Sequence, residues 1–262
     1  MKSSWFAFAF LFFLSGSNTN LVQSVNPDQG STRTAAVLVE LFTSEGCSSC
    51  PPADKLLIDL DQTSVKNGVN LITLSEHVDY WNRLGWKDPF SSVLYSQRQE
   101  EYSRALKLDD VYTPQMIVDG RNAFVGSQRQ TALQAIEKAA DAPKADVQLA
   151  VEAPPGGSAS VSIKIGSIPE ISRGDKAEVF LAVAESGLHS KVARGENAGR
   201  EITHTAVARK LVKIGTADGS SFTAQQNIKL DQAWKRSAMK VVVFLQERNS
   251  RRVLGAAAIK LS

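Results

Sequence analysis

The first half of the chain switches between short apolar runs and segments with helical spacing. Residues 35–42 form a nearly continuous, β-branched apolar run, which predicts a strand covered on both faces. After two prolines, apolar side chains recur at the spacing of one helical face, at Ala53, Leu56, Leu57 and Leu60. Residues 69–74 predict a second strand and residues 91–107 a second helix. Asp119-Gly120 predicts the turn of a hairpin, which precedes a third helix ending near residue 140.

The pattern changes after residue 143, where apolar and polar residues alternate with a period of two. Val147, Leu149 and Val151 alternate first, and residues 161–165, 179–183 and 241–245 repeat this spacing. Turn residues separate these runs and none shows a strong helical period, so the second half is expected to form an all-β sandwich. The link between the halves, residues 140–143, is short, so we expect the second half to pack beside the first.

The N-terminus has the pattern of a secretory signal. Lys2 precedes the apolar residues 5–14, polar residues follow, and residues 22–24 offer small side chains at a plausible cleavage point. The apolar run is too short to span a bilayer, and no later segment is apolar enough to do so. We therefore expect a signal peptide over residues 1–24 and a polar linker over 25–33. The protein would then be periplasmic or secreted, with no integral membrane segment after cleavage. A buried N-terminal strand is the alternative.

Composition places the 262-residue chain among globular proteins, with 43% hydrophobic and 22% charged residues. Its formal net charge of +3 arises from Lys and Arg scattered among nearly as many Asp and Glu. Because nucleic-acid binding needs clustered basic residues, this distribution argues against a nucleic-acid partner.

The chain has two cysteines, Cys47 and Cys50, separated by two serines. Outside the cytosol they can form a disulfide, but a loop this short contributes only about 2 kcal/mol in the chain-entropy model. A redox role is therefore favoured over a purely structural one, which remains the alternative. The histidines His77, His189 and His204 have no recognisable zinc spacing, so no metal is expected.

Two marks in the order of elements point to a thioredoxin-like fold. The Cys-x-x-Cys pair follows the first strand, where Cys47 would open a helix, and Thr113-Pro114 immediately precedes the hairpin. We therefore expect an α/β thioredoxin-like domain with an insertion over residues 34–142, followed by an all-β sandwich-like domain over residues 143–262. At a helix start the dipole would lower the pKa of the Cys47 thiol, and Cys50, one turn further in, would be less exposed.

Longer motifs support a family resemblance. Residues 40–54 read ELFTSEGCSSCPPAD, and HVDYW, LGWKDPF, YTPQ and RGENAGR follow at residues 77, 84, 112 and 194. In these motifs the chain resembles an uncharacterised family of exported bacterial thioredoxin-like proteins. The resemblance covers nearly all of the chain after the signal segment. It implies the fold, export and a redox pair, but no substrate and no cofactor.

The wider thioredoxin resemblance implies roles for individual residues. Cys47 matches the nucleophilic cysteine, Cys50 the resolving cysteine, and Pro114 the cis-proline, with Thr113 before it. Glu40 matches a buried carboxylic acid that exchanges a proton with the resolving cysteine, if the turn before Cys47 is one residue longer here. The other possibility is that Glu40 pairs with an Arg or Lys.

Two further segments are candidates for the surroundings of the cysteines. Trp81 and Trp86, in the aromatic segment 77–86, are expected either to line a substrate surface or to bury the insertion. Residues 187–200 form a Gly-rich, basic stretch expected to be a large loop, and residues 194–200 either cover the cysteines or stay solvated.

These features favour an extracytoplasmic thiol–disulfide oxidoreductase that acts through Cys47 and Cys50 on protein or small-molecule thiols and disulfides. The alternatives are a non-catalytic binding or adaptor module with a structural disulfide, or a metallochaperone using both thiols.

Overall fold

The computed structural model describes residues 35–63, 65–66, 68–154, 157–217 and 219–261. The expected signal peptide (1–24) and linker (25–33) lie outside these residues. The three helices are α1 (Pro51–Gln62), α2 (Val93–Leu106) and α3 (Arg129–Ala140). The strands of the first half are β1 (Ala35–Thr43), β2 (Val65–Lys66), β3 (Val69–His77), β4 (Gln115–Val118) and β5 (Asn122–Val125). The strands of the second half are β6 (Asp146–Glu152), β7 (Ser158–Gly166), β8 (Ala177–Glu185), β9 (Leu188–Lys191), β10 (Glu201–His204), β11 (Val207–Thr216), β12 (Phe222–Lys229), β13 (Met239–Glu247) and β14 (Val253–Lys260).

The fold is mixed α/β and is dominated by one nine-stranded sheet. Within the part of this sheet that the first half of the chain forms, β1 lies between β3 and β4. β1 pairs in parallel with β3 and antiparallel with β4, and β4 pairs antiparallel with β5. Because successive side chains of a strand point to opposite faces, β1 carries two different apolar surfaces. This two-sided burial is what its nearly continuous apolar sequence predicts.

One face of β1 packs against α1 and α3. Val39 and Leu41 on this face are buried with Leu57 of α1 and Ile136 of α3 in a single core. The opposite face carries Leu38, Glu40 and Phe42, which helix α2 and the second half cover. Helices α1 and α2 therefore lie on opposite sides of the first half of the sheet.

The regular elements of the described second half are strands and one short 3-10 helix, and the two larger of its three sheets pack face to face. The strands β12, β7 and β6 form a three-stranded sheet whose inner side chains, such as Val161 and Ile163, share a core with Val179, Leu181 and Val243 of the larger sheet. The two sheets share this core, but they do not form the separate domain over residues 143–262 that the sequence predicts.

The larger of these two sheets is not separate from the first half, however. Strands β8, β11, β13 and β14 belong to the same nine-stranded sheet, because β11 pairs in parallel with β3 through Val207 and Ser75. The backbone N–H of Ser75 donates to the carbonyl of Ala206 at 2.8 Å. The alternation of apolar and polar residues along a strand determines which of its faces is buried, but not which strand lies beside it in the sheet. The sequence pattern therefore could not reveal the pairing of β11 with β3.

A buried polar network also joins the two halves. The Arg98 guanidinium of α2 lies 2.6 Å from a carboxylate oxygen of Glu40 and donates to the side-chain oxygen of Gln246 on β13 at 3.1 Å. The hydroxyl of Tyr102 donates to Glu40, and Gln246 donates to the same hydroxyl at 2.8 Å.

In the part of the chain that the structure describes, each helix is too short or too polar to cross a membrane.

Candidate functional site

Cys47 and Cys50 form a disulfide within a tight turn between β1 and α1. The N–H of Cys50 donates to the carbonyl of Cys47 at 3.2 Å, and Cys50 is the N-cap residue of α1. The expectation that Cys47 itself opens the helix is therefore wrong by one turn. The helix begins at Pro51, because prolines are accommodated at the first helical positions, where a backbone N–H is not needed.

Both cysteines are fully buried, with relative exposures of 0%. Cys47 was expected to be the more exposed of the two, which is also wrong. The turn that holds the cysteines leaves Ser48 and Ser49 exposed, whereas Cys47 lies under a segment contributed by the second half of the chain.

This covering segment consists of residues 192–200 and joins strands β9 and β10. Of the predicted large loop of residues 187–200, residues 188–191 form β9 and the nine residues 192–200 form the loop that leads to β10. The Nδ2 of Asn197 donates to the carbonyls of Glu45 and Cys47, at 2.9 and 2.8 Å, and Asn197 is itself fully buried. The carboxylate of Glu196 accepts from the Ser48 N–H at 3.0 Å. Of the two alternatives weighed for residues 194–200, the structure supports the one in which they cover the cysteines.

The segment around Pro114 lies on another side of the disulfide turn. The Thr113–Pro114 peptide bond is cis, as the sequence predicts. The hydroxyl of Ser49, between the two cysteines, donates to the carbonyl of Thr113 at 3.5 Å. Two segments that are 64 residues apart in sequence therefore meet at the disulfide.

The two predicted tryptophans frame the same turn. Trp81 packs against Gly46, where a Cβ would lie 3.1 Å from that of Trp81, and its Nε1 donates to Thr113 Oγ1 at 2.8 Å. The Nε1 of Trp86 donates to Glu45 at 2.7 Å. Both indoles are half-buried, so each holds a neighbouring segment in place while keeping part of its surface open. A substrate contact by either ring stays a prediction.

Glu40 lies apart from this group. It is on the face of β1 opposite to α1, where Arg98 and Tyr102 bind its carboxylate. Of the two possibilities weighed from the sequence, the structure supports pairing with an arginine. The residue of β1 that faces α1 is Leu41, because a shift of one position along a strand moves a side chain to the other face.

A cluster of five buried ionisable side chains lies next to the disulfide turn, and sequence reasoning did not group them. It consists of Glu45, Asp54, His77, Asp88 and His204. The Nδ1 of His77 lies 2.7 Å from Asp88, and the same Asp88 oxygen accepts from the Glu45 N–H at 2.9 Å. The Nε2 of His204 lies 3.3 Å from Glu45 and its Nδ1 lies 3.9 Å from Asp54. The two imidazole rings make a T-shaped contact with centroids 4.7 Å apart.

Burial and mutual attraction act in opposite directions on these groups. Burial raises the pKa of Asp54, although the two histidines partly oppose this shift. Burial alone would raise the pKa of Asp88, but attraction to His77 and several hydrogen bonds lower it below its ordinary value. Burial disfavours protonation of His77, yet Asp88 raises the pKa of this imidazole overall. The His77–Asp88 pair is therefore biased towards an ion pair, and Asp54 towards its neutral form.

The sequence held only an indirect signal of this cluster. Glu45 and Asp54 flank the cysteines, and His77, Asp88 and His204 fall in or near the motifs that carry the family resemblance. Within the described residues, no group of three or more His, Cys, Asp and Glu is arranged to hold a metal ion.

Comparison with protein families assigns the chain to a group defined by sequence. The model of a family described as "Protein of unknown function (DUF1223)" matches residues 38–246, which is most of the chain. The chain belongs to the DUF1223 family. This confirms the predicted membership of an uncharacterised family. A search of curated proteins finds no match.

Two solved structures are similar to this DUF1223 protein over most of its length. A crystal structure of an Agrobacterium tumefaciens protein shares 28% identity and has a TM-score of 0.67, covering 87% of this chain and 96% of that one. HBP35 of Porphyromonas gingivalis has a TM-score of 0.66 at 16% identity, covering 89% of this chain and 77% of its own. At 16% identity, the similarity to HBP35 shows a shared fold and nothing more.

Proposed function

We propose that this protein is an exported thiol–disulfide oxidoreductase with a thioredoxin-like first half, acting through Cys47 and Cys50. The observation that carries the proposal is the meeting of the Cys-x-x-Cys turn, at the start of α1, with the cis Thr113–Pro114 segment. Because Cys50 caps α1, the helix start stabilises the thiolate that Cys50 becomes when the disulfide opens. The backbone carbonyl of Thr113 beside the turn gives an extended partner a place to align.

The chemistry is a balanced exchange of two thiols and one disulfide. A partner thiol gives up its proton, and its thiolate attacks the Sγ of Cys47. The Cys47–Cys50 bond breaks, Cys50 leaves as a thiolate and then takes up a proton. A second partner thiol gives up its proton and attacks the partner sulfur of the mixed disulfide, so that Cys47 leaves and is protonated. The partner becomes a disulfide and the protein a dithiol; the reverse sequence reduces a partner disulfide.

The covering segment limits access to this chemistry. Both cysteines are buried, and Asn197 and Glu196 bind backbone atoms of Cys47 and Ser48, so release of this segment would free the turn that a partner has to reach. Such a cover favours a particular partner, which displaces the segment, over unspecific disulfide reduction. Protein or small-molecule thiols and disulfides are the substrate class.

The test is the reduction potential of the Cys47–Cys50 pair, together with the behaviour of single-cysteine variants. Working oxidoreductases lie at about −270 to −120 mV, whereas structural disulfides lie below about −300 mV. We expect a value in the first range. We also expect Cys50→Ser to trap a mixed disulfide with a thiol partner through Cys47, because the resolving thiol is missing; Cys47→Ser is the matched control and should not trap one. A potential below about −300 mV would reject the proposal.

One observation favours a second candidate, an adaptor with a structural disulfide. Both cysteines are fully buried, and the structural cysteines of inert disulfides are typically buried as well. An adaptor would resist reduction in the native state, and Cys47→Ser would bind its partner as well as the wild type does.

A further inference from the structure

A cavity lies between the two halves of the chain, at the end of α1 opposite to the disulfide turn. Its volume is about 370 Å³, which is within the range of small-molecule sites. Residues 70–72 of β3 form one side, residues of β13 and β14 form the other, and Asp61 comes from the end of α1. The cysteines and the covering segment do not line this cavity, so its chemistry is separate from that of the disulfide.

Lys240 of β13 is a buried charged group in the wall of this cavity. Its side chain is 12% exposed, and its ammonium donates to Asp61 at 2.7 Å and to the hydroxyl of Thr73 at 3.0 Å. An ammonium has three donors, and these two bonds use two of them. Within the described residues, the third N–H of Lys240 is therefore left for an acceptor from outside the chain.

Lys260 brings a second positive charge to the same place. It lies directly opposite Lys240 in the pair of β13 and β14, so both side chains leave the same face of the sheet. Burial lowers the pKa of Lys240 and repulsion from Lys260 adds to this, although Asp61 opposes it. Among the described residues Lys260 forms no ion pair. The lining thus holds two ammonium groups and a single carboxylate, which leaves one positive charge in excess.

The remaining walls are largely apolar. Ile72 of β3 and Ala258 of β14 belong to one core, and the buried Leu71 and Met239 also line the cavity. No arginine is among the described lining residues, so the planar, bidentate geometry that favours dianions such as phosphate is not provided. Lysine acts instead as a point charge beside an apolar surface.

We propose that this cavity binds an aliphatic monocarboxylate, with its charged end between Lys240 and Lys260 and its chain against Ile72 and Ala258. One negative charge matches the excess of one positive charge. The carboxylate accepts from the third N–H of Lys240 and separates two like charges that otherwise repel each other. The bond between Lys240 and Asp61 stays in place, so the buried ion pair is not broken on binding.

The experiment is an NMR titration of ¹⁵N-labelled protein with hexanoate in Tris buffer, which contains no competing carboxylate. The amide signals of residues 70–72 and 238–240 report binding in the cavity. Hexanol, which has the same chain without the charge, and acetate, which has the charge with almost no chain, are the matched ligands. The variants are Lys260→Gln and Lys240→Gln, whose amide can still donate to the neighbouring carboxylate. Lys229→Gln is the matched control, because this exposed lysine lies on β12, outside the cavity.

We expect the wild type and Lys229→Gln to bind hexanoate with a Kd of about 1 mM, a modest affinity for a ligand of this size. Hexanol and acetate should each bind at least about fivefold more weakly, because each lacks one of the two contacts. Lys260→Gln should weaken hexanoate binding about fivefold, and Lys240→Gln about tenfold, since a hydrogen bond to a buried charged group is lost.

The proposal fails if hexanoate does not bind, if it shifts only signals outside the cavity, or if hexanol or acetate binds as tightly. It also fails if Lys229→Gln weakens binding as much as Lys260→Gln does, because attraction to any surface lysine would then suffice. Thermal unfolding of each variant shows whether it is folded. If Lys240→Gln does not fold, Lys260→Gln and the two matched ligands decide the question.

Discussion

The substitution Asn197→Ala tests whether the covering segment controls access to the disulfide. The side chain of Asn197 donates two hydrogen bonds, to the carbonyls of Glu45 and Cys47. A buried hydrogen bond contributes about 1 kcal/mol net, so the loss of both weakens the closed state by about 2 kcal/mol. If reduction proceeds from a rarely opened state, that change raises the open population about 30-fold.

The assay is native-state reduction of the disulfide by a fixed concentration of dithiothreitol, with the freed thiols trapped by a maleimide and counted by mass spectrometry. We expect Asn197→Ala to react about 30-fold faster than the wild type. Arg194→Ala is the matched control, because this exposed residue lies in the same segment, and its rate should equal that of the wild type. Thermal unfolding of each variant shows whether the change is local.

An Asn197→Ala rate within twofold of the wild type would refute the reasoning, because the segment would then not limit access. A large rise in the Arg194→Ala rate would also contradict it, since any disturbance of the segment would then suffice.

Three further predictions concern the interface between the two halves. Arg98→Met should lower the free energy of unfolding by about 3–5 kcal/mol in denaturant titrations, because it leaves the buried Glu40 carboxylate unpaired; an undiminished midpoint would contradict this. Gly120→Ala should not give a folded protein with a measurable unfolding temperature, whereas Gly174→Ala should unfold near the wild-type temperature. Both glycines have positive φ, but a Cβ at Gly120 would lie 1.8 Å from the carbonyl oxygen of Arg251, and a Cβ at Gly174 would meet nothing within 4 Å. Burial, with repulsion from Glu40, raises the pKa of Glu76 well above its ordinary value, so its contribution to stability is fully present below about pH 4.3 and is lost as pH rises through the folded-state pKa. Glu76→Gln should therefore flatten the dependence of unfolding free energy on pH above pH 5, and an unchanged slope would count against it.

Local pattern was sufficient to predict most elements of the first half. The continuous apolar run became the central strand β1, and the helical spacing after Pro51 became α1, because two-sided burial and one-sided burial leave different periods in a sequence. The cis bond before Pro114 was predicted from the thioredoxin resemblance and not from local pattern.

The sequence identified the segments that surround the cysteines, but it did not fix which side chains in them make the contacts. The spacing of Cys47 and Cys50 identifies the pair, whereas for Glu40 the sequence left two possibilities open, and the structure supports pairing with Arg98. The sequence did not determine which face of β1 carries Glu40, because a turn before Cys47 that is longer or shorter by one residue would place its side chain on the other face of the sheet.

The sequence by itself predicted the three helices, most strands of the first half, four of the strands of the second half and the position of the cysteine pair. The tertiary structure alone decided that β11 joins β3, that Asn197 binds the carbonyl of Cys47 and that His204 lies 3.9 Å from Asp54. The physical reason is that periodicity records which face of an element is buried, a property of consecutive residues. Which distant element buries that face depends on the packing of the whole chain, and residues 150 positions apart leave no mutual period in the sequence.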